Sequence, residues 1–188
     1  MYLTNSSIWC HMIVKNIQQN INKTQEWILR IEEVCAKCGI KCCEGAHPPI
    51  CKDRYDFLIK NGVSTDCFEF EGYRRLKVKK NNECILFYDG KCSIHHIKPE
   101  TCRAGPFTFD IKDDKIEIFL KYESLCPIVR VLKDFPEAYD QQYLNAIEHI
   151  SNLVSHLSEN ELEAIHQIDE PLTEKVAQIP RKWNEDRH

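Results

Sequence analysis

Glycine, methionine and long apolar runs are scarce in this chain. It has only 6 glycines among 188 residues and no G-x-G-x-x-G spacing, so it lacks the glycine-rich loop that cradles phosphates in many nucleotide-binding proteins. It also lacks the H-E-x-x-H spacing of zinc proteases and the nucleophile elbow of α/β-hydrolases. No apolar stretch approaches the ~20 residues that a membrane-spanning helix needs. These absences argue against nucleotide binding, common hydrolase chemistry and membrane insertion.

An excess of basic residues is missing too. The chain has 25 Lys and Arg against 29 Asp and Glu, which gives a formal net charge of -4. Nucleic-acid-binding domains usually have a clear basic excess, so no general nucleic-acid binding is expected. The N-terminal residues do not combine a basic stretch, an apolar stretch and a small-residue cleavage site. We therefore expect a cytoplasmic protein.

Cysteine, in contrast, is abundant. The chain has 11 cysteines, an odd number, so disulfides within one chain cannot pair all of them. Thiols stay reduced in most cytosols, where closely spaced cysteines usually bind metals or take part in redox chemistry. The pattern predicts a metal site, and a disulfide scaffold is the less favoured alternative.

Hydrophobic periodicity divides the chain into four segments. Apolar residues recur at helical spacing in an N-terminal helical segment, 1–34, and again in a C-terminal helical hairpin, 132–170. Between them, residues 35–131 form a cysteine-cluster domain of short strands and loops, and the tail 171–188 is expected to be a packed arm or disordered. The predicted fold class is α+β, with a small metal-bound core between the N-terminal helix and the C-terminal helices.

Several elements can be placed within these segments. A short helix is predicted over 53–60 and a strand over 84–88. Alternation of apolar and polar residues at 107–111 and 116–120 predicts a β-hairpin.

The C-terminal segment shows a continuous helical pattern. Apolar residues recur every three or four positions from Tyr143 to Leu157. Ser158 and Glu161 then have the spacing of a capping box, which predicts the start of a further helix.

The strongest local signal is the run Cys35-Ala36-Lys37-Cys38-Gly39-Ile40-Lys41-Cys42-Cys43. Two cysteines separated by two residues place their sulfur atoms on one side of a tight turn, a spacing found in zinc and iron–sulfur sites. Neighbouring side chains of extended backbone point in opposite directions, so Cys42 and Cys43 would not readily bind one ion together. They would serve two sites, or one would bind metal while the other packs or reacts.

A second group of cysteines is spread more widely along the chain. It consists of Cys84, Cys92, Cys102 and Cys126. The chain must fold to gather them, and one of them is expected to supply a fourth ligand beside Cys35, Cys38 and Cys42. The Arg103 guanidinium could donate hydrogen bonds to a thiolate or sulfide, or could form a structural ion pair.

The order of these motifs resembles the YkgJ-type cysteine-cluster family, which is described as a zinc- or iron-chelating domain. The similar motifs are Cys35-x-x-Cys38-x-x-x-Cys42-Cys43, Cys84, Asp89-Gly90-Lys91-Cys92-Ser93-Ile94, Pro99-x-x-Cys102-Arg103-Ala104-Gly105-Pro106-Phe107 and Cys126-Pro127. The chain departs from the family at His95, Lys98 and Gly105, where Tyr, Arg and Phe are usual; the cysteines are unaffected. A similar cluster occurs in flagellin lysine-N-methylases. The resemblance implies a chelating function and leaves the substrate open.

Eight cysteines are therefore predicted to be metal ligands: Cys35, Cys38, Cys42, Cys43, Cys84, Cys92, Cys102 and Cys126. The leading hypothesis is an iron–sulfur protein that carries one [4Fe–4S] cluster and has a redox, electron-transfer, cofactor-maturation or thiol-relay role. Eight cysteines exceed the four that one such cluster takes, so the surplus allows a second metal or thiols that react beside the cluster. Arg103 is predicted to contact this cofactor. The alternative is a structural zinc module for protein–protein interaction. A methyl relay, implied by the resemblance to the lysine-N-methylases, is a minor alternative.

Three cysteines fall outside the motif: Cys10, Cys51 and Cys67. They are expected to be packing or free thiols, with Cys51 as a reserve ligand because it lies close in sequence to Cys43. A protein partner is expected, and the sequence leaves an enzymatic role open.

Overall fold

Helices and short antiparallel strands alternate along the chain, which confirms the predicted α+β class. The computed structural model describes residues 25–38, 41–166 and 172–181. The described helices are α1 (described over 25–37), α2 (Lys52–Lys60), α3 (Glu100–Ala104), α4 (Ile128–Asp134), α5 (Pro136–Ser155) and α6 (Glu159–His166). The strands are β1 (Phe68–Phe70), β2 (Arg74–Leu76), β3 (Phe87–Tyr88), β4 (Lys91–Cys92), β5 (Phe107–Lys112), β6 (Lys115–Lys121) and β7 (Thr173–Pro180). Short 3-10 turns occur at Lys41–Cys43, Thr65–Cys67 and His95–Ile97.

The larger hydrophobic core lies between a three-stranded sheet and α5. The sheet has the order β5-β6-β7 and is antiparallel throughout. Alternation along β6 buries Ile116, Ile118 and Leu120, and α5 buries Ile150 and Leu153 in the same cluster. We call this cluster the large core.

A second, smaller core lies under the hairpin β1-β2 and α2. It is formed by Ile50, Leu58, Val63, Phe68, Leu76, Cys84 and Ile94. The half-buried side chains of Cys43, Cys67 and Cys92 pack against it. We call this cluster the small core, and several predicted ligands form part of its wall.

Helix α3 is held from both sides. The Gln142 side chain on α5 donates hydrogen bonds to the main-chain carbonyls of Arg103, at 3.2 Å, and Gly105, at 2.7 Å. On the other side, Arg54 of α2 donates to the buried Glu100 carboxylate with an Nε–Oε1 distance of 2.6 Å. The short helix that includes Cys102 is therefore fixed to α2 and to α5.

Most locally predicted elements are confirmed. Helix α2 covers the predicted helix 53–60, and β5 and β6 form the predicted hairpin. The side chain of Ser158 bonds to the carboxylate of Glu161, as a capping box requires.

One element is shorter than the sequence predicts. Of the predicted strand 84–88, only Phe87–Tyr88 pairs as a strand, while Cys84 forms an isolated bridge with Val78. Of the two alternatives for the tail, the packed arm describes Thr173–Pro180, which pairs as a strand along β6. Edge pairing of this kind depends on a partner distant in sequence, so the local sequence pattern did not reveal the strand.

Within the part of the chain described, no helix is long and apolar enough to cross a membrane. Most of the predicted N-terminal helical segment lies outside the described residues.

Candidate metal centre

The first cysteine motif joins the end of α1 to a 3-10 turn. Cys35 lies in α1 and Cys38 directly after it, where its backbone N–H donates to Val34 O at 2.9 Å. Cys42 and Cys43 lie in the 3-10 turn Lys41–Cys43. The Cys84 N–H donates to Cys43 O at 2.7 Å, so this turn is bonded to the chain about forty residues later.

The second cysteine group comes from three separate segments. Cys84 and Cys92 are joined through the β3-β4 hairpin: Phe87 N–H donates to Cys84 O at 2.9 Å, and Phe87 pairs with Cys92 across the strands. Cys102 lies in α3. Cys126 lies in the turn before α4, where its N–H donates to Tyr122 O at 3.0 Å.

Electrostatic interactions group four of the thiols together. We call Cys35, Cys38, Cys42 and Cys126 the first thiol set. Burial, together with the nearby Cys35, Cys42 and Cys38, raises the pKa of Cys126 to about 11. Loss of hydration also raises the pKa of Cys35, to which Cys42 and then Cys38 add. The fold thus brings Cys126 beside the motif that lies some ninety residues earlier.

The remaining motif cysteines form a second group. We call Cys43, Cys84, Cys92 and Cys102 the second thiol set. Burial raises the pKa of Cys102 to about 12, with contributions from Cys84, Cys42 and Cys92. Burial also raises the pKa of Cys84, and the proximity of Cys92 adds to this rise. Both Cys84 and Cys92 interact with Cys43.

The adjacent pair Cys42 and Cys43 is where the two sets meet. The Cys43 thiol donates a hydrogen bond to Cys42, which lowers the pKa of Cys42 below its usual value and raises that of Cys43. In extended backbone the two neighbouring side chains would diverge. This expectation is wrong for Cys42 and Cys43, because the pair lies in a 3-10 turn, which allows the two sulfur atoms to interact.

Lys98 is the cation that acts on both thiol sets. It lowers the pKa of Cys35, Cys42 and Cys102, against the other influences on them. Lys121 also lowers the pKa of Cys42. In the sequence, Lys98 stood out only as a departure from the pattern of the family that the chain resembles.

Arg103, the predicted cofactor contact, lies close enough to α5 to act on His149. Burial lowers the pKa of His149, and the positive charge of Arg103 adds to this lowering. The proposed contact of Arg103 with a cofactor stays a prediction.

The cysteines outside the motif have distinct surroundings. Cys67 is half-buried, packs on the small core and raises the pKa of Cys84. Cys51 is buried, with 2% of its surface exposed, and this burial raises the pKa of its thiol, to which the charge of Glu100 adds. Cys10 lies outside the described residues.

The cysteine thiols of the two sets are the type of ligand that binds metals as thiolates, and the fold brings them into groups. Two sets of soft sulfur ligands with a nearby lysine suit zinc or iron–sulfur centres. Among the described residues, however, no three His, Cys, Asp or Glu side chains are close enough to hold one ion. The assignment of the thiols as ligands stays a prediction.

Comparison with known proteins identifies the region that contains all of these thiols. The model of the CxxCxxCC family, described as "Putative zinc- or iron-chelating domain", matches residues 34–127. No curated protein and no solved structure matches the chain. The matched region includes every cysteine of both thiol sets.

Proposed function

This chain belongs to the CxxCxxCC family of zinc- or iron-chelating domains, and from that premise we propose that it is an iron–sulfur protein. In this proposal the first thiol set provides the four ligands of a [4Fe–4S] cluster. Cys35 and Cys38 supply the paired ligands of a Cys-x-x-Cys turn, Cys42 supplies the third, and Cys126 completes the site.

The observation that supports iron–sulfur over zinc is the number of thiols that the fold groups together. Cys126 lies within electrostatic range of Cys35, Cys38 and Cys42, and these four thiols match the number of cysteine ligands that one [4Fe–4S] cluster takes. One zinc ion in a closed tetrahedral site would leave the remaining motif cysteines without a role, whereas thiols beside a cluster can take part in its redox chemistry.

Exposure and charge indicate a role in electron exchange with a protein partner. A bound cluster supplies one-electron transfer. Cys35 and Cys42 are exposed, so they would hold the cluster at the protein surface, where a partner can approach. Lys98 and Lys121 would offset the negative charge of the thiolates and influence the reduction potential.

The test is the metal content of full-length protein expressed and purified without oxygen. We expect iron and acid-labile sulfide in equal amounts, at least about four of each per chain, with broad absorbance near ~400 nm. Cys126→Ser should remove about four iron atoms per chain, whereas Cys67→Ser, a half-buried thiol outside the motif, should remove none. Bound zinc with no sulfide in this sample would contradict the proposal and favour a structural zinc module.

A further inference from the structure

A pocket of about 320 Å³ lies where α2, α3 and the C-terminal end of α5 meet. This volume is at the lower end of the range of about 300–1,000 Å³ that is typical of small-molecule sites. None of the eight predicted ligand cysteines lines it. The lining residues are Cys51, Asp53, Arg54, Phe57, Glu100, Asn152 and His156.

The most deeply buried charged group of this pocket is the Glu100 carboxylate, which is 1% exposed. Arg54 Nε donates a hydrogen bond to its Oε1 atom at 2.6 Å. The other oxygen, Oε2, is buried and accepts no hydrogen bond from any described residue. Buried polar atoms nearly always have a partner, and an ionised carboxylate can only accept hydrogen bonds. Glu100 Oε2 therefore suits a ligand that brings a hydrogen-bond donor into the pocket.

The charges of the lining favour a cationic donor. The lining has two carboxylates, those of Asp53 and Glu100, and one guanidinium, that of Arg54. With histidine counted as neutral, this is a formal excess of one negative charge. The guanidinium already bonds Glu100 Oε1 and lies over the Phe57 ring, 5.3 Å from its centroid. A hydrogen bond from an ammonium group to a carboxylate is charge-assisted, so it is stronger than one from a neutral hydroxyl or amide.

The outer part of the pocket joins α2 to α5. The exposed side chains of Asp53 and His156 approach each other to 3.6 Å between Oδ2 and Nε2. His156 Nδ1 donates to Asn152 O at 2.7 Å, which holds the ring in place. Phe57 is 42% exposed and adds an apolar surface to the same pocket. An alkyl chain can therefore pack here while a polar group reaches the buried end.

From these observations we propose that the pocket between α2, α3 and α5 binds a small organic amine in its ammonium form. The ammonium group donates to Glu100 Oε2, and the alkyl part packs on Phe57. This site goes beyond the proposed function, because no cysteine of either thiol set lines it and the metal content of the protein does not enter the argument.

The test is an NMR titration of the full-length, metal-loaded, ¹⁵N-labelled protein with n-butylammonium chloride. We expect saturable shifts of backbone amides in α2 and at the C-terminal end of α5, with one site and a dissociation constant in the millimolar range. Tetramethylammonium chloride is the control ligand, because it has the same charge and no N–H donor. It should bind at least about tenfold more weakly, since it cannot form the charge-assisted hydrogen bond.

Two variants test the contact residues. Glu100→Gln removes the carboxylate charge and one acceptor oxygen, so it should weaken n-butylammonium binding by about tenfold or more. Asn152→Trp changes an exposed residue and fills the pocket from α5, and it should weaken binding at least as much even if Glu100→Gln fails to fold. Leu144→Trp is the matched control, because Leu144 is 65% exposed on α5 and does not line the pocket, and it should bind as the unchanged protein does.

Each contrary result has a definite meaning. Absence of saturable shifts, or shifts confined to other elements, would overturn the site. Equal affinity for tetramethylammonium would show that charge alone attracts the amine, and would overturn the hydrogen bond to Glu100. Undiminished binding by folded Asn152→Trp would place the amine elsewhere. The iron–sulfur proposal is judged separately, because its readout is iron and sulfide per chain.

Discussion

At the scale of single residues, the ion pair between the half-buried Arg54 and the buried Glu100 connects α2 to α3 within the region that the family model matches. Glu100 is 1% exposed and lies two residues before Cys102 in α3. Arg54 bonds one of its carboxylate oxygens, and its guanidinium also lies over the Phe57 ring at 5.3 Å from the centroid. A buried carboxylate that loses its cationic partner remains charged without compensation.

We predict that Arg54→Met lowers the free energy of unfolding by about 3–5 kcal/mol, because it leaves Glu100 buried and unpaired. The matched control is Lys52→Met on the same helix, whose exposed ion pair with Asp56 should be worth no more than about 1 kcal/mol. Urea unfolding of the metal-loaded proteins measures the loss in free energy of unfolding for each variant. Equal, small losses in the two variants would show that the Arg54–Glu100 pair does not stabilise the junction of α2 and α3.

At the scale of elements, the hairpin β1-β2 packs closely on α6. Gly72 lies in its turn with φ of +77°, and a Cβ atom at this position would lie 2.7 Å from Cβ of Ala164. Gly62, which follows α2, also has a positive φ of +88°, but a Cβ atom there would meet nothing within 4 Å. Both glycines therefore have a left-handed backbone conformation that disfavours other residues. Only Gly72 also lacks the space for a Cβ atom.

We predict that Gly72→Ala is more destabilising than Gly62→Ala. Both variants should lose about 1 kcal/mol through the left-handed backbone, and Gly72→Ala should lose a further ~1–3 kcal/mol through the clash with α6. Denaturant midpoints of the two variants, at equal m-values, give the comparison. If the two losses are the same, the close contact between the hairpin and α6 is absent in solution.

At the scale of the whole molecule, the two cores differ in what stabilises them. The large core has a three-stranded sheet and a helix of 20 residues packed on it. The small core is formed by short elements, and the thiols of Cys43, Cys84 and Cys92 belong to its wall. Metal binding contributes directly to folding where ligand loops have little apolar packing of their own. The small core should therefore depend on metal more than the large core does.

We predict that metal removal raises amide hydrogen exchange in α2 and in the β3-β4 hairpin by tenfold or more, while α5 and β6 remain protected. The melting temperature of the cooperative unit should fall by more than about 5 °C, since a loss of 1 kcal/mol shifts a chain of this size by about 2–4 °C. Exchange followed by mass spectrometry, with metal loss verified, measures both regions in one sample. Unchanged exchange in α2 would contradict a metal-dependent small core.

The sequence by itself determined the features that depend on neighbouring residues. Apolar spacing placed α2 and the β5-β6 hairpin, Ser158 and Glu161 marked the start of α6, and the cysteine motifs indicated a zinc- or iron-chelating domain. Each of these signals lies within a short stretch of chain, because helix periodicity, strand alternation and capping involve residues only a few positions apart.

Only the tertiary structure decided which distant residues meet. It brought Cys126 to Cys35 and Cys42, and it placed Lys98 beside thiols from α1 and α3. It also paired β7 with β6, where the local pattern had suggested only an arm or disorder. Such contacts join segments tens of residues apart, and their energy depends on burial and charge that exist only once both cores have formed.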